Sequence, residues 1–356
     1  MHSVKNSVIN EPIFVYDPLS PTGIKEPVAS KPSLVSLFSG AGGLDLGFEK
    51  AGFKTLWANE FDKSIAPSYR NYFKHVQLDT RSITLIDASE IPFADGLIGG
   101  PPCQSWSEAG AKRGIEDSRG QLFNDYIRIL RHLQPKFFVV ENVHGIIHQR
   151  NRDSFDSILK ALRESGYQVT WKLLKASDYG VAQDRERVFI VGLHNNLNET
   201  FEFPPPVSNK VTLKDAIGDL NCLDIGSPNI KNHEITDIGF SPIFMSRNRV
   251  RSWDEPSYTI LASDRHIPLH PNAPKMVDNP SEPGMKMFVP GKEDLYRRLS
   301  IRECARVQSF PDDYEFIYSV PRIGYKMIGN AVPVQLAFHV AKEIGKYIGV
   351  TNWQDK

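Results

Sequence analysis

The stretch GGPPCQSWSEAG, residues 99–110, sets a cysteine directly behind two prolines and follows it with polar residues. A structural cysteine normally sits inside a regular element, where it acts as a small hydrophobe. Here the flanks read as a loop, and the prolines remove backbone freedom, which fixes where the Cys103 sulfur points. A thiol is nucleophilic only as thiolate, so its pKa must fall from about 8.5. A loop at the carboxyl end of a strand, close to the start of a helix, favours that fall. Standing alone, the loop also fits an inert buried cysteine. It does not stand alone: ENV, residues 141–143, ends a later apolar run, and QDRERVF, residues 183–189, brings Arg185 and Arg187 just before another. Cys103, Glu141 and the two arginines, delivered to one rim, would supply a nucleophile, a proton donor and an anion clamp.

A second group lies nearer the N-terminus. FSGAGG, residues 38–43, falls where a strand meets a helix, and its glycines let the backbone approach a ligand beside unpaired N–H groups. The turn lacks the Gly-Lys-Ser/Thr ending of a phosphate loop, which argues against an NTPase. Glu60, ending TLWANE, suits a pair of ribose hydroxyls, although a solvated loop acid would look the same; Asp79 is placed to face the same crevice.

The elements that must position these residues follow from periodicity. LVSLF, TLWANE, DGLIGG, KFFVVENV and RVFIVGL are short apolar strands. Between them run amphipathic helices, one with Leu122, Tyr126, Ile129, Leu130 and Leu133 on a face and one over 153–164. This alternation predicts an α/β fold with a doubly wound, mostly parallel sheet. Residues 1–32, rich in Pro and Ser without a period, read as an extended or disordered arm, and 33–203 as the catalytic and cofactor-binding domain. Residues 204–310 are irregular and form a second domain, and 311–356 return to the first through the helix LAFHVAKEIGKYI. Three dispersed cysteines, Cys103, Cys222 and Cys304, give neither a disulfide framework nor a metal-ligand spacing, which places the chain in a reducing cytoplasm. No stretch is apolar enough to span a bilayer. Because 42 basic residues balance 42 acidic ones, any polyanion must be met by a local patch.

FSGAGG, GGPPCQSWS, ENV, QDRERVF, RECARVQSFPDDY and GNAVP, in this order from Leu34 onward, resemble the ordered motifs of the DNA cytosine-5 methyltransferases of type II restriction-modification systems. The resemblance implies S-adenosylmethionine in the crevice. It would be lined by Phe38, Gly40, Gly42, Leu44 and Pro102, with Glu60 on the ribose, Asp79 near the adenine and Asn330 closing the site. It also implies a Cys103 adduct at cytosine carbon 6, Glu141 at ring nitrogen 3 and Arg185 at the ring oxygen, with the target base flipped from the duplex. The loop after Cys103, with Gln104 and Ser107, would be a lid touching DNA. FMSRNRVR would present Arg247, Arg249 and Arg251 on one face if extended, with Arg265 as a further reader of guanine.

This segment resembles the target-recognition region of HaeIII-type methyltransferases, which modify the inner cytosine of GGCC. That subfamily is expected to carry Gln near Leu261 and Gly near Asp264, and the acid here is expected to neutralise Arg265 or alter what it reads. An RNA cytosine methyltransferase stays as the alternative, although its Cys-Phe-Thr signature does not occur in the sequence. A non-catalytic DNA-binding relative and a cysteine hydrolase using His144 are others. The expected partner is double-stranded DNA, bound by a monomer without a membrane, in functional pairing with a cognate restriction endonuclease.

Overall fold

The computed structural model describes residues 31–102 and 120–350. Cys103, Gln104 and Ser107, the lid loop and nearly all of the N-terminal arm lie outside the described residues. The chain builds β1 (Ser33–Leu37), α1 (Gly43–Lys50), β2 (Lys54–Asn59), α2 (Ala66–Tyr72), β3 (Gln77–Asp79) and β4 (Gly96–Gly99). There follow α3 (Gly120–Leu133), β5 (Phe137–Val143), α4 (Arg152–Glu164), β6 (Tyr167–Lys175), β7 (Gln183–Asp184) and β8 (Glu186–His194).

The main sheet has seven strands in the order β3-β2-β1-β4-β5-β8-β6. Its first five strands are parallel, whereas β8 runs antiparallel to both β5 and β6. The fold is therefore the doubly wound, mostly parallel sheet expected from the alternation. The antiparallel sense of β8 and the edge strand β6 are additions: β6 mixes exposed and buried residues and has no continuous apolar run to reveal it.

The centre of the sheet is buried on both faces because β4 and the Phe137–Val140 run of β5 are buried at every position. In β5, Phe138 and Val140 pack with α3 and α4, while Phe137 and Val139 pack with α1 and the C-terminal helix. Helix α4 shows why it docks: Phe155, Ile158, Leu159 and Leu162 are its buried residues, spaced by three and four.

Past β8, regular structure thins to α5 (Leu213–Ile217), α6 (Pro242–Met245), β9 (Ser257–Tyr258), β10 (Val277–Asp278) and β11 (Lys286–Met287). A small core of Phe244, Val250, Leu269, Ala273, Met276 and Tyr296 holds this part together. It is fastened to the sheet domain by parallel pairing of β9 with β7. Helices α7 (Ile301–Val307), α8 (Pro321–Asn330) and α9 (Val334–Tyr347) complete the chain. Helix α9 packs on α1, as expected of a returning amphipathic helix; Gly47 lies so close to Ala337 and the Val334 carbonyl that a side chain there would overlap them.

Candidate active site

In an open α/β sheet, ligands bind outside the carboxyl ends of the strands where the winding reverses. Here that point lies between β1 and β4, which are followed by the turn 38–42 and by Gly100-Pro101-Pro102. The turn bends sharply: Phe38, Gly40 and Gly42 all have φ between 55° and 73°. Glycine takes that backbone without strain, whereas Phe38 does so against its side chain. Around Gly40 the space is open, with no heavy atom within 4 Å of where a Cβ would lie.

Glu60 faces this turn. Its carboxylate accepts the Gly40 N–H at 2.8 Å and the Asp62 N–H at 2.7 Å. Burial pushes its pKa up, and those two backbone donors pull it back. Asp62 in turn takes Lys326 of α8 at 2.6 Å, so the far end of the chain braces the loop carrying Glu60. Asp79 is engaged by Arg81 through both carboxylate oxygens. Leu44 is buried in α1, Pro102 is half-buried and Asn330 is exposed at the end of α8. Sequence reasoning passed over Phe61. It follows Glu60 and is 66% exposed, which leaves a flat apolar face uncovered beside the crevice; an aromatic directly after the strand-terminal acid was the available signal.

The second half of the site is built on β4, β5 and β8. Asn142, near the end of β5, donates to the Pro101 carbonyl at 2.9 Å and pins the proline loop that leads to Cys103. Gly100 lies against Glu141, since a Cβ there would be 3.3 Å from Glu141 Oε2. Glu141 is buried, and its Oε1 lies 2.9 Å from Arg187 Nε across the β5–β8 pairing. The contact is an ion pair whose N–H is not aligned on Oε1, which has no other donor among the described residues. Burial raises the Glu141 pKa, and the guanidinium groups of Arg187 and Arg185 oppose the rise. Beside this pair opens a cleft of about 370 Å³ lined by His144, Lys175, Asp184, Glu186, Arg187 and Thr259. Along its walls His144 Nδ1 lies 2.9 Å from Glu186 and Lys175 pairs with Asp184 at 2.9 Å, which also takes Arg251 at 3.2 Å.

Arg185 differs from the expectation that set it at a ring oxygen. It is 0% exposed, and its terminal nitrogens donate to the carbonyls of Ile260, Gly329 and Ala331 at 2.9, 2.7 and 3.1 Å. A guanidinium so committed is not free to turn toward an anion, although its Nε has no partner among the described residues. Of the two arginines, Arg187 stands beside the acid.

The arginines of 247–251 do not share a face either, because the segment is not a strand. Arg247 is exposed, but Arg249 is buried, donating to the Phe244 and Ile243 carbonyls at 2.8 and 2.9 Å and lying over the Phe244 ring. Arg251 is held by Glu255 and Asp184 and stacks on Tyr258. Both side chains are thus engaged by other groups of this chain rather than presented together on one face. Arg265 is exposed, while Asp264 turns inward and accepts from Thr236 at 3.5 Å.

Of the other cysteines, Cys304 is wholly buried, which pushes its thiol pKa well up and makes it a poor nucleophile; Cys222 is exposed and outside the site. Among the described residues, no helix is long and apolar enough to cross a membrane.

The pattern of the C-5 cytosine-specific DNA methylase family matches residues 33–346. A type II methyltransferase of Fusobacterium nucleatum, M.FnuDI, is 54% identical over 324 residues, covering 87% of this chain and 93% of that one. M.NgoPII of Neisseria gonorrhoeae, also a type II methyltransferase, is 49% identical over 88% of this chain and 95% of its own length. In fold, the structure resembles that of the Entamoeba histolytica methyltransferase EhMeth, with a TM-score of 0.66 at 16% identity, covering 89% of this chain and 99% of the other.

Proposed function

The chain belongs to the C-5 cytosine-specific DNA methylases, and from that premise we propose that it methylates the inner cytosine of GGCC, or of a longer site containing it, through a Cys103 adduct on a flipped base. Membership makes it a DNA methyltransferase of the type II restriction-modification kind, for which family and fold imply S-adenosylmethionine as methyl donor. The observation that carries the finer reading is the Glu141–Arg187 pair, buried beside the loop that delivers Cys103.

The residues present fit the donor. The open space over Gly40 admits a ligand against the backbone, the Glu60 carboxylate keeps lone pairs for ribose hydroxyls, and Phe61 offers a face on which adenine can stack. The bound sulfonium supplies an electrophilic methyl group. Cytosine carbon 5 is too weak a nucleophile to take it unaided. Attack of the Cys103 thiolate on carbon 6 forms an Sγ–C6 bond and sends electron density to carbon 5 and ring nitrogen 3. Glu141, whose pKa burial raises, gives a proton or strong hydrogen bond to nitrogen 3. Arg187 stabilises the negative charge gathering on the ring oxygen and keeps Glu141 in place. Once carbon 5 is methylated, loss of its proton to a base restores the ring double bond and expels Cys103. No cytosine inside a stacked duplex can reach these groups, so the base must leave the helix. Arg247 and Arg265, exposed in the second domain, are suited to guanine edges. The protein would thereby protect DNA from a partner endonuclease, acting as a monomer on each strand of the palindrome in turn.

The experiment is transfer of labelled methyl from S-adenosylmethionine to short duplexes carrying GGCC or its scramble, with Cys103→Ser in parallel. Label on GGCC alone, lost in the variant, is expected. Equal label on the scramble would sink the site assignment.

A further inference from the structure

Three parts of the molecule that act at different moments meet at one buried side chain. Arg185 directs one terminal nitrogen to the Ile260 carbonyl, in the segment leading to Arg265, and the other to the Gly329 and Ala331 carbonyls on either side of Asn330. The two segments also touch directly. A Cβ on Gly329 would overlap the Leu261 carbonyl and the Ala262 nitrogen, so the main chains lie against each other with no side chain between them. Gln183, fully buried, accepts the Ile260 N–H at 3.1 Å, and Thr259 donates to the Asp184 carbonyl at 2.6 Å. Two residues beyond Arg185, at the start of β8, stands Arg187, paired with Glu141.

We infer that Arg185 is a positioning residue that joins the crevice-closing segment 329–331 to the target-reading segment 260–265, so that a ligand in the crevice presets the loop that reads DNA. The physical reason is the absence of slack. Main chains in contact cannot slide independently, because close-packed interiors transmit displacement rather than absorb it. A guanidinium donating to three carbonyls at fixed angles makes one body of the segments that own them. Movement of Asn330 onto a ligand then moves Ile260–Ala262 with it. Binding coupled through such a joint follows the usual scale of allosteric linkage, about 5–150-fold.

This inference rests on the reading of the Phe38–Gly42 crevice as the S-adenosylmethionine site, and its test separates the two. Backbone amide exchange is followed in the full chain with and without S-adenosylhomocysteine, in the absence of DNA and turnover. The expected result is slower exchange both in the crevice, residues 38–44 and 60–62, and in residues 257–266, by about 5-fold or more in the latter. In Arg185→Lys, which keeps the charge but lacks the planar fork, the crevice response should persist and the response of 257–266 should vanish. A merely structural arginine would loosen both regions with or without the analogue and leave the ligand-induced difference intact. Gly329→Ala, which pries the two main chains apart, should give the same loss and stands in if the lysine variant fails to fold. Protection of the crevice without protection of 257–266 in the unsubstituted protein would overturn the inference while leaving the cofactor reading in place. A response of 257–266 undiminished in both variants would remove Arg185 and the contact as its carriers. No protection anywhere would take down the cofactor reading and the inference together.

Discussion

The rim of the sheet and the segment around Arg247–Arg251 both carry alternating arginines, and the two regions use them by the same division. At the rim, Arg185 is locked onto three carbonyls and Arg187 is left beside the acid. In the segment past α6, Arg249 and Arg251 are locked, and Arg247 is left exposed. Arg298 repeats the theme, donating to the Ile238 and Gly239 carbonyls over the Phe240 ring. The reason lies in the backbone. A buried carbonyl needs a donor, and where no strand or helix supplies one, a side chain must. The chain past β8 has little regular structure, so part of its arginine content serves as scaffold. The rim has a strand ladder, and needs an arginine only where the ladder ends and three segments meet.

That division is open to breakage. The largest effect should come from Arg185→Ala, which leaves three buried carbonyls without their donor, at about 1–3 kcal/mol for each group left unsatisfied, read as a fall in the denaturant midpoint. If unfolding were unchanged, the scaffold role would be wrong. Arg187→Ala should act on rate instead. Loss of one preorganised charge at a developing oxyanion costs about 10²–10³-fold in kcat, while DNA affinity stays near its starting value and the midpoint falls less than in Arg185→Ala. A reversed pattern, with Arg187 costing stability and Arg185 costing only rate, would return the ring-oxygen role to Arg185. Smaller again, Arg247→Ala and Arg265→Ala should each lose about 1–3 kcal/mol of discrimination between GGCC and a site changed at one guanine, measured by competition binding. Arg249→Ala should show its main cost in stability.

A fourth expectation sharpens the contrast from the acid side. Asp45 is buried in α1 with Tyr69 donating to one oxygen at 2.8 Å, and its other oxygen meets no aligned donor among the described residues. Burial raises its pKa from 3.8 to about 6. Between those values the folded state holds a proton that the unfolded chain has released, so stability should fall as pH rises from about 4 to about 6 and then level off. The total contribution is at most about 3 kcal/mol, since one pKa unit is about 1.4 kcal/mol. Asp45→Asn should therefore match the parent near pH 4 and exceed it above pH 6 in thermal unfolding; a variant less stable at pH 7.5 would show that the ionised carboxylate is held by partners after all.

Much of the fold was legible because it rests on patterns that survive without tertiary context. The apolar runs of β1, β2, β4, β5 and β8, the three-and-four spacing of α4 and the glycines after β1 all announce themselves locally. Edge strand β6 did not, since its residues answer to different neighbours on each face. Within the site, Glu60 and Glu141 were readable as acids ending strands. Which arginine of QDRERVF faces the acid was not, because the answer depends on carbonyls 75 to 146 residues away in the chain. Arg249 failed for the same reason: one face if extended is sound reasoning, but the segment is not extended.

The central claim is a covalent bond between Cys103 and the target base, and one measurement reaches it directly. A GGCC duplex with 5-fluorocytosine at the inner position blocks the final step, because fluorine does not leave carbon 5 as a proton would. With S-adenosylmethionine, the protein should form a protein–DNA complex that survives denaturation, and Cys103→Ser should form none. A denaturation-stable complex in Cys103→Ser, or its absence from a parent protein that methylates the unmodified duplex, would contradict the account.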